Sequence, residues 1–202
     1  MASRQQDQSL TSDILLYGYS IGIFPMADSV TGEIQWYLPK MRAIVPIETF
    51  RPPRSLRQLI KKGIFEVRFN TAFREVMQGC AHERGDGLGT WISPEMIEAY
   101  TELHDTGYAH SVETFIDGQL VGGLYGVSLG AAFFGESMFY RVSNASKVAF
   151  VALIDRLRQR RYDLLDSQFM NENIRRYGAI EIPHQDYLER LQAALKKPAT
   201  FV

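Results

Sequence analysis

Three polar side chains stand near the ends of apolar runs, where buried strands are expected to finish. Asp166 and Gln168 close the run YDLLDSQF, and Glu136 follows two phenylalanines and a glycine in FFGESMF. Residues two apart on a strand point to the same face, so Asp166 and Gln168 are predicted to project together, and the carboxylate could orient the amide. A structural alternative is that both residues cap a short helix beginning at Asn171.

Glu136 raises a separate question of charge. A carboxylate at the end of an apolar strand is costly to bury unless it meets a cation or hydrogen-bond donors. A salt bridge to Arg141 or Lys147 would meet this need within the protein. A cationic group of a substrate would meet it equally well.

A short basic segment is the second candidate site. The bases in RSLRQLIKKG recur at spacings of three or four, so a helix would gather most of them on one side. We call these residues the basic strip: Arg54, Arg57, Lys61 and Lys62. The strip could dock an anionic partner, or it could be an ordinary solvated helix face. The formal net charge of −1 argues against a protein that is basic all over.

Composition limits the class of protein. With 202 residues, 46% hydrophobic and 12% aromatic, the chain is predicted to fold around a packed core. Its single cysteine, Cys80, cannot form an intrachain disulfide, and the polar start MASRQQDQSL lacks the apolar run of a secretory signal. We expect a cytoplasmic protein that does not enter membranes. The four histidines have no metal-ligand spacing, and His104 and His110 are expected to be structural.

The elements that position these side chains follow from hydrophobic periodicity. From Asp13 to Pro46 we predict a short helix and then strands of a small annex sheet. The strand FEVRFN and the helix TAFREVMQGCAH follow, with Thr71 as the helix cap and a buried face formed by Phe73, Val76, Met77 and Cys80. After a flexible GDGLG loop, the helix SPEMIEAYTELHDTG is predicted to be capped by Ser93 and to end at Gly107.

After this helix, the hydrophobic periodicity changes to alternation, with a period of two residues. Three antiparallel strands are predicted in HSVETFI, LVGGLYGVSLG and AAFFGESMF. The helix SNASKVAFVALIDRLRQRRY, the strand YDLLDSQF and two further helices, NENIRRYG and PHQDYLERLQAALKK, complete the chain.

This order of helices and strands is similar to the architecture of the GCN5-related N-acetyltransferases, in which the sheet is splayed to admit an acyl donor. The expected fold is therefore α+β, with a mixed, largely antiparallel sheet. We predict a small N-terminal domain in residues 1–63 and an acetyltransferase-like domain in residues 64–202. An acetyl-CoA enzyme of this type needs a glycine-rich turn that holds the pyrophosphate. The turn YRVSNASK has no glycine, which favours another donor.

Seven motifs, in order, resemble the leucyl/phenylalanyl-tRNA–protein transferases: GIFPM, TWI, AHSVE, LVGGLYGVSLG, FFGESMF, NASK and LLDSQF. The resemblance runs from about Leu10 to about Leu195. It implies transfer of Leu or Phe, with Met as a further donor, from aminoacyl-tRNA to the N-terminal Arg or Lys of a protein, which marks that protein for degradation by the N-degron pathway. It also implies that no metal and no organic cofactor are used, and we expect a monomer. A CoA-dependent acetyltransferase and a non-catalytic tRNA-binding protein are the alternatives.

The resemblance assigns roles to the polar residues. It places Asp166 and Gln168 at the catalytic centre, where the Gln oxygen is proposed to draw on the attacking amine while the Asp polarises it. A carboxamide is a very weak base, so we expect Gln168 to position the amine and the 2′-hydroxyl of the terminal adenosine to carry the proton. Glu136 is assigned to the substrate site, where the aminoacyl ammonium or the basic acceptor side chain supplies the cation.

The resemblance also assigns binding residues. The apolar pocket for the donor side chain would comprise Leu124, Phe133, Phe150, Leu153 and Leu165, each of which could instead be ordinary core. Trp91 is expected to stack on the terminal adenine, beside Met26, which stands where longer members have Trp. The basic strip would hold the acceptor stem, with Gln58 replacing a base found in some members. His184 and Gln185 stand where a pair of arginines is frequent.

Overall fold

A seven-stranded sheet with helices on both faces forms the body of the protein. The structure, a computed structural model, describes residues 10–82 and 90–202, and the predicted GDGLG loop lies outside these ranges. The described helices are α1 (Ser12–Ser20), α2 (Arg54–Lys61), α3 (Phe73–Ala81), α4 (Pro94–Asp105), α5 (Ala145–Gln159), α6 (Glu172–Arg175) and α7 (His184–Leu195). The described strands are β1 (Phe24–Ala27), β2 (Ile34–Tyr37), β3 (Met41–Ile44), β4 (Glu66–Phe69), β5 (Ala109–Ile116), β6 (Gln119–Leu129), β7 (Ala132–Tyr140), β8 (Leu164–Asp166) and β9 (Ile180–Pro183).

The large sheet is mixed and largely antiparallel, as predicted. Its strand order is β4-β5-β6-β7-β8-β3-β9, and β7 and β8 form its parallel pair. The predicted meander of β5, β6 and β7 is confirmed. Residues 132–134 of β7 pair with residues 164–166 of β8, after which β8 ends while β7 continues to Tyr140. The sheet therefore opens between these two strands.

The segment RAIVPI does not belong to an annex sheet, contrary to the prediction. Its strand β3 is inserted between β8 and β9 in the large sheet, and the small sheet consists of the hairpin β1 and β2. Strand β9 was not predicted, because the short run IEIP ends in a proline, which weakens a strand assignment. The domain division at residue 63 stays a prediction, and the position of β3 favours a boundary nearer residue 40.

Helices cover the two faces of the sheet in two separate cores. Helices α1, α3, α4 and α7 pack on one face, and α2 and α5 pack on the other. The predicted buried face of α3 is confirmed. Ser93 caps α4 as predicted, since its hydroxyl accepts a hydrogen bond of 3.2 Å from the amide of Met96. Thr71 does not cap α3; the helix begins one residue later than a cap there allows, and the Thr71 hydroxyl donates to Glu113.

The glycine-free turn before α5 has a backbone conformation that glycine usually supplies. Asn144, the N-cap of α5, has a φ of +69°, in the left-handed region that asparagine tolerates better than most residues. The missing glycine therefore does not by itself decide which acyl donor is used.

The described ranges contain no helix long and apolar enough to cross a membrane. Within the same ranges, no three His, Cys, Asp or Glu side chains cluster as metal ligands would. His104 stacks on Phe73, and His110 stacks on Phe201. Both histidines are thus part of the packing, as predicted.

Candidate active site

A cavity of about 220 Å³ lies where the sheet opens between β7 and β8. One wall is formed by β6 and β7, and the other by α5 and the segment that follows β8. The cavity brings together eight of the residues singled out in the sequence: Met26, Trp91, Leu124, Glu136, Phe150, Leu153, Leu165 and Gln168. Among the described residues that line it, Glu136 has the one carboxylate, and none is Lys, Arg or His.

A β-bulge directs Glu136 into this cavity. Along β6 and β7, Gly126 pairs with Gly135 and Tyr125 pairs with Ser137, so Glu136 is an extra residue without a cross-strand partner. Such an insertion bends the strand and re-aims the side chain. The bulge thus places a carboxylate in the wall of an otherwise regular apolar strand.

Hydrogen bonds from two neutral groups hold Glu136. Its Oε1 accepts from the Tyr19 hydroxyl at 2.7 Å and from Gln168 Nε2 at 2.9 Å. Burial raises the pKa of the Glu136 carboxyl to about 7, although these two hydrogen bonds oppose the rise. The predicted alternative, a salt bridge to Arg141 or Lys147, is wrong. The Glu136 carboxyl therefore keeps its proton to a higher pH than an ordinary glutamate does.

Asp166 is held in a different way, by a buried ion pair. Arg42 donates to both of its carboxylate oxygens, from Nε at 2.9 and 3.0 Å and from Nη2 at 2.6 Å, and both side chains are fully buried. The Tyr187 hydroxyl donates to Oδ2 at 2.8 Å. Burial alone would lower the pKa of Arg42, but the charge of Asp166 raises it overall. Asp166 is therefore a fixed, ion-paired group.

Gln168 does not extend the strand, contrary to the prediction. Strand β8 ends at Asp166, and Gln168 has a φ of +62°, in the left-handed region. Asp166 Oδ1 accepts from the backbone N–H of Gln168 at 2.8 Å, and the Gln168 side chain donates instead to Glu136. The Asp166 carboxylate thus holds the backbone N–H of Gln168. It does not contact the side-chain amide of Gln168. Neither residue caps α6, because Asn171 is its N-cap.

The family assignment follows from the comparison of the whole chain. The family model described as leucyl/phenylalanyl-tRNA protein transferase matches residues 44–192, and the model of that family's N-terminal domain matches residues 8–40. The chain belongs to this family. It is 51% identical over 188 residues to the leucyl/phenylalanyl-tRNA–protein transferase of Chlorobaculum parvum, covering 93% of this chain and 97% of that protein. Identity to the Gloeobacter violaceus protein of the same name is 49% over 193 residues, covering 96% and 98%.

The fold of this protein has a solved counterpart. FemX superimposes with a TM-score of 0.57 at 12% sequence identity, over 88% of this chain and 70% of FemX. At this level of identity the likeness concerns the fold alone. The membership in the transferase family therefore rests on the sequence matches.

Four of the five residues that the family resemblance assigns to the donor pocket line the cavity, but Phe133 does not. Phe133 is fully buried within the sheet core, where its ring stacks on Phe201 at 5.3 Å. Phe133 lies in the same core as the other four residues, on their side of the sheet, but it is not among the residues that line the cavity. Phe133 is therefore a core residue in this structure.

The two residues assigned to the adenine lie side by side at the cavity. Trp91 and Met26 are half-buried and both line it. The backbone N–H of Ala27 donates to the carbonyl of Trp91 at 2.9 Å, which joins strand β1 to this side of the site. The N-terminal hairpin thus contributes directly to the cavity wall.

The basic strip forms the predicted helix. Arg54, Arg57 and Lys61 lie on α2, Lys62 follows as its C-cap, and all four are exposed. Leu56 anchors the opposite side of the helix in the core. None of the four bases lines the cavity, so any role of theirs concerns a larger partner that extends beyond it.

Several residues at the site were not predicted from the sequence. They are Arg42 and four of the buried tyrosines, Tyr19, Tyr100, Tyr125 and Tyr187. Arg42 could have been suspected, because a single arginine within the apolar alternation of RAIVPI needs a buried partner. The tyrosines gave no such signal, since aromatic residues are ordinary components of a core.

Proposed function

We propose that the protein transfers Leu or Phe from aminoacyl-tRNA to the N-terminal Arg or Lys of acceptor proteins and thereby marks them for degradation. The observation that carries this proposal is the amide of Gln168, fixed by Glu136 at the wall of a largely apolar cavity. Family membership supplies the donor and acceptor classes.

The reaction needs no protein nucleophile. The acceptor nitrogen attacks the ester carbonyl carbon, a C–N bond forms, and the bond to the 3′-oxygen of the terminal adenosine breaks. One proton passes from the amine to the departing oxygen. The protein's task is to bring ester and amine together and to keep the amine unprotonated.

Gln168 positions the amine in this scheme. Because its Nε2 donates to Glu136, the amide oxygen is left to accept an N–H of the attacking amine. Asp166, fixed by Arg42, holds the backbone N–H of Gln168 and so keeps the amide at one place. The very weak basicity of a carboxamide leaves proton transfer to the 2′-hydroxyl of the terminal adenosine.

The apolar wall selects the donor side chain. Leu124, Phe150, Leu153 and Leu165 offer contacts to an aliphatic or aromatic side chain without a polar partner. Methylene-scale contacts discriminate by about 1 to 3 kcal/mol, so Leu, Phe and Met would differ in rate by modest factors. Phe133 packs in the same core without lining the cavity, so its contribution to this selection would be indirect.

The nucleic-acid part of the donor would lie across the hairpin and α2. Trp91 would stack on the terminal adenine, with Met26 at its side, and the basic strip would contact acceptor-stem phosphates without reading sequence. A monomer acting in the cytoplasm is sufficient for this arrangement.

Transfer of labelled Leu and Phe from charged tRNA to matched peptides tests the proposal. The peptides differ only in beginning with Arg, Lys or Ala. Transfer confined to the Arg and Lys peptides is the expected result. Transfer to the Ala peptide at an equal rate would refute the acceptor specificity, and no transfer from either tRNA would refute the activity.

A further inference from the structure

Two buried oxygens at the candidate site have no hydrogen-bond partner in the described residues. One is the hydroxyl of Tyr125, a residue whose side chain is fully buried, and the other is Oε2 of Glu136. Both residues line the cavity, and they are brought together by the bulge between β6 and β7. Buried polar atoms without a partner are rare in proteins, so a pair in one site indicates a ligand group that satisfies both.

The hydrogen bonds around the site do not satisfy these two oxygens. Tyr19 donates its one hydroxyl proton to Glu136 Oε1, so in the contact between the Tyr19 and Tyr100 hydroxyls Tyr100 is the donor. Gln168 also donates to Oε1. The other carboxylate oxygen is thereby turned away from these partners. Tyr125 and Glu136 are not hydrogen-bonded to each other, which leaves both to interact with a group bound between them.

The group that fits is a primary ammonium. It has three donors and a positive charge, so it can donate to the hydroxyl oxygen and to the carboxylate oxygen together. In an aminoacyl ester the α-ammonium is attached to the same carbon as the side chain. A donor whose side chain occupies the apolar wall therefore presents its ammonium within the same small cavity. The acceptor amine must approach from the ester side and is not placed there.

We infer that Tyr125 and Glu136 form the subsite for the α-ammonium of the donor amino acid, with Tyr19 and Tyr100 orienting the carboxylate. This inference rests on the proposed aminoacyl transfer. It makes a free α-amine a requirement for an efficient donor. Tyr125 then contributes to donor recognition and not to recognition of the acceptor peptide.

The test compares Leu-tRNA with its α-hydroxy analogue, tRNA charged with 2-hydroxy-4-methylpentanoic acid, as donors to an Arg-peptide. The analogue has nearly the same shape but no positive charge. The ratio of the two kcat/KM values is measured for the wild-type protein and for Tyr125→Phe. We expect a preference for Leu-tRNA of about tenfold or more in the wild type and a reduction of that preference of about fivefold in the variant, with the KM for the peptide unchanged.

Thr114→Val is the matched control. The Thr114 hydroxyl is another buried oxygen without a partner, but Thr114 is not among the described residues that line the cavity. The control should keep the wild-type preference, and neither variant should lower the melting temperature, because each removes an unpaired buried hydroxyl. A wild-type preference near one, or an unchanged preference in Tyr125→Phe, would overturn the inference. Absence of transfer from both donors by the wild-type protein would instead refute the proposed function.

Discussion

Asp166 contacts Gln168 through the backbone, and this changes how a substitution of Asp166 should be interpreted. Its carboxylate is engaged by Arg42, by Tyr187 and by the amide of Gln168. Replacing Asp166 by Ala would leave the Arg42 guanidinium buried without its counter-charge. Loss of activity in such a variant would therefore not distinguish unfolding from a defect in the transfer reaction. The ion pair has to be tested as a pair.

We expect Arg42→Met to lower the free energy of unfolding by about 3 to 5 kcal/mol, because it leaves Asp166 buried and unpaired. The double variant Arg42→Met with Asp166→Asn removes both charges and should recover much of that loss. Urea unfolding of both proteins measures the difference. A double variant no more stable than Arg42→Met would show that the buried charge is not the cause.

Glu136 makes the stability of the protein depend on pH. Its pKa of about 7 in the folded state lies above the ordinary 4.5, so the folded state binds the proton more tightly than the unfolded state does. The stabilisation from protonated Glu136 is complete below about pH 4.5 and is lost as pH rises through 7.

Glu136→Gln removes this titration while its amide oxygen can still accept from Tyr19 and Gln168. Between pH 4.5 and pH 8, the free energy of unfolding of the variant should rise by roughly 3 kcal/mol relative to that of the wild type. The transfer activity of the variant should fall. Unfolding measured at several pH values gives the difference, with the exposed Glu102→Gln as control. A difference that does not change with pH would contradict the raised pKa.

At the scale of elements, the site is produced by an interruption in the sheet. Strand β8 has three residues and ends where Asp166 meets β3, while the longer β7 carries the bulge at Glu136. The cavity lies in the resulting opening, between α5 and the end of β8. Local periodicity predicts such strands well but does not show where one of them ends.

Helix α2 is the element on which the proposed tRNA contact depends. Replacing Arg57, Lys61 and Lys62 by Gln should weaken binding of Leu-tRNA and Phe-tRNA alike. It should also reduce the slope of log K against log salt concentration by about 2 to 3, since each phosphate contact contributes roughly 0.7 to 0.9. Binding measured over a range of salt concentrations checks both effects.

An equal change of charge elsewhere is the control for α2. Arg161, Arg190 and Lys196 are exposed bases outside this helix, and their replacement by Gln should leave the slope unchanged. Equal effects of the two triple variants would mean that net charge, and not α2, governs binding.

At the scale of the whole molecule, the sequence predicts what depends on nearby residues. The buried face of α3, the Ser93 cap and the meander are all local patterns, and they are confirmed. Motif order indicated the family, which the sequence matches confirm. The assigned roles of Asp166, Gln168 and Glu136 stay predictions.

The features that the sequence did not predict join distant parts of the chain. Arg42 and Asp166 are separated by 124 residues, and no local pattern relates them. The insertion of β3 beside β8 was not predicted for the same reason, since a short alternating strand fits an annex sheet and a large sheet equally well. The left-handed backbone of Gln168 depends on the Asp166 carboxylate that this arrangement fixes. The detailed geometry of the site is therefore a property of the assembled fold.

The most direct test of the account is the single-turnover rate of Leu transfer to an Arg-peptide by Gln168→Ala, with tRNA and peptide binding measured separately. If the fixed amide positions the attacking amine, the rate should fall by about a hundredfold or more while both affinities remain within a few-fold of the wild type. Full turnover with normal binding would contradict the proposed role of Gln168, whose amide is held just after β8 by Glu136 of β7.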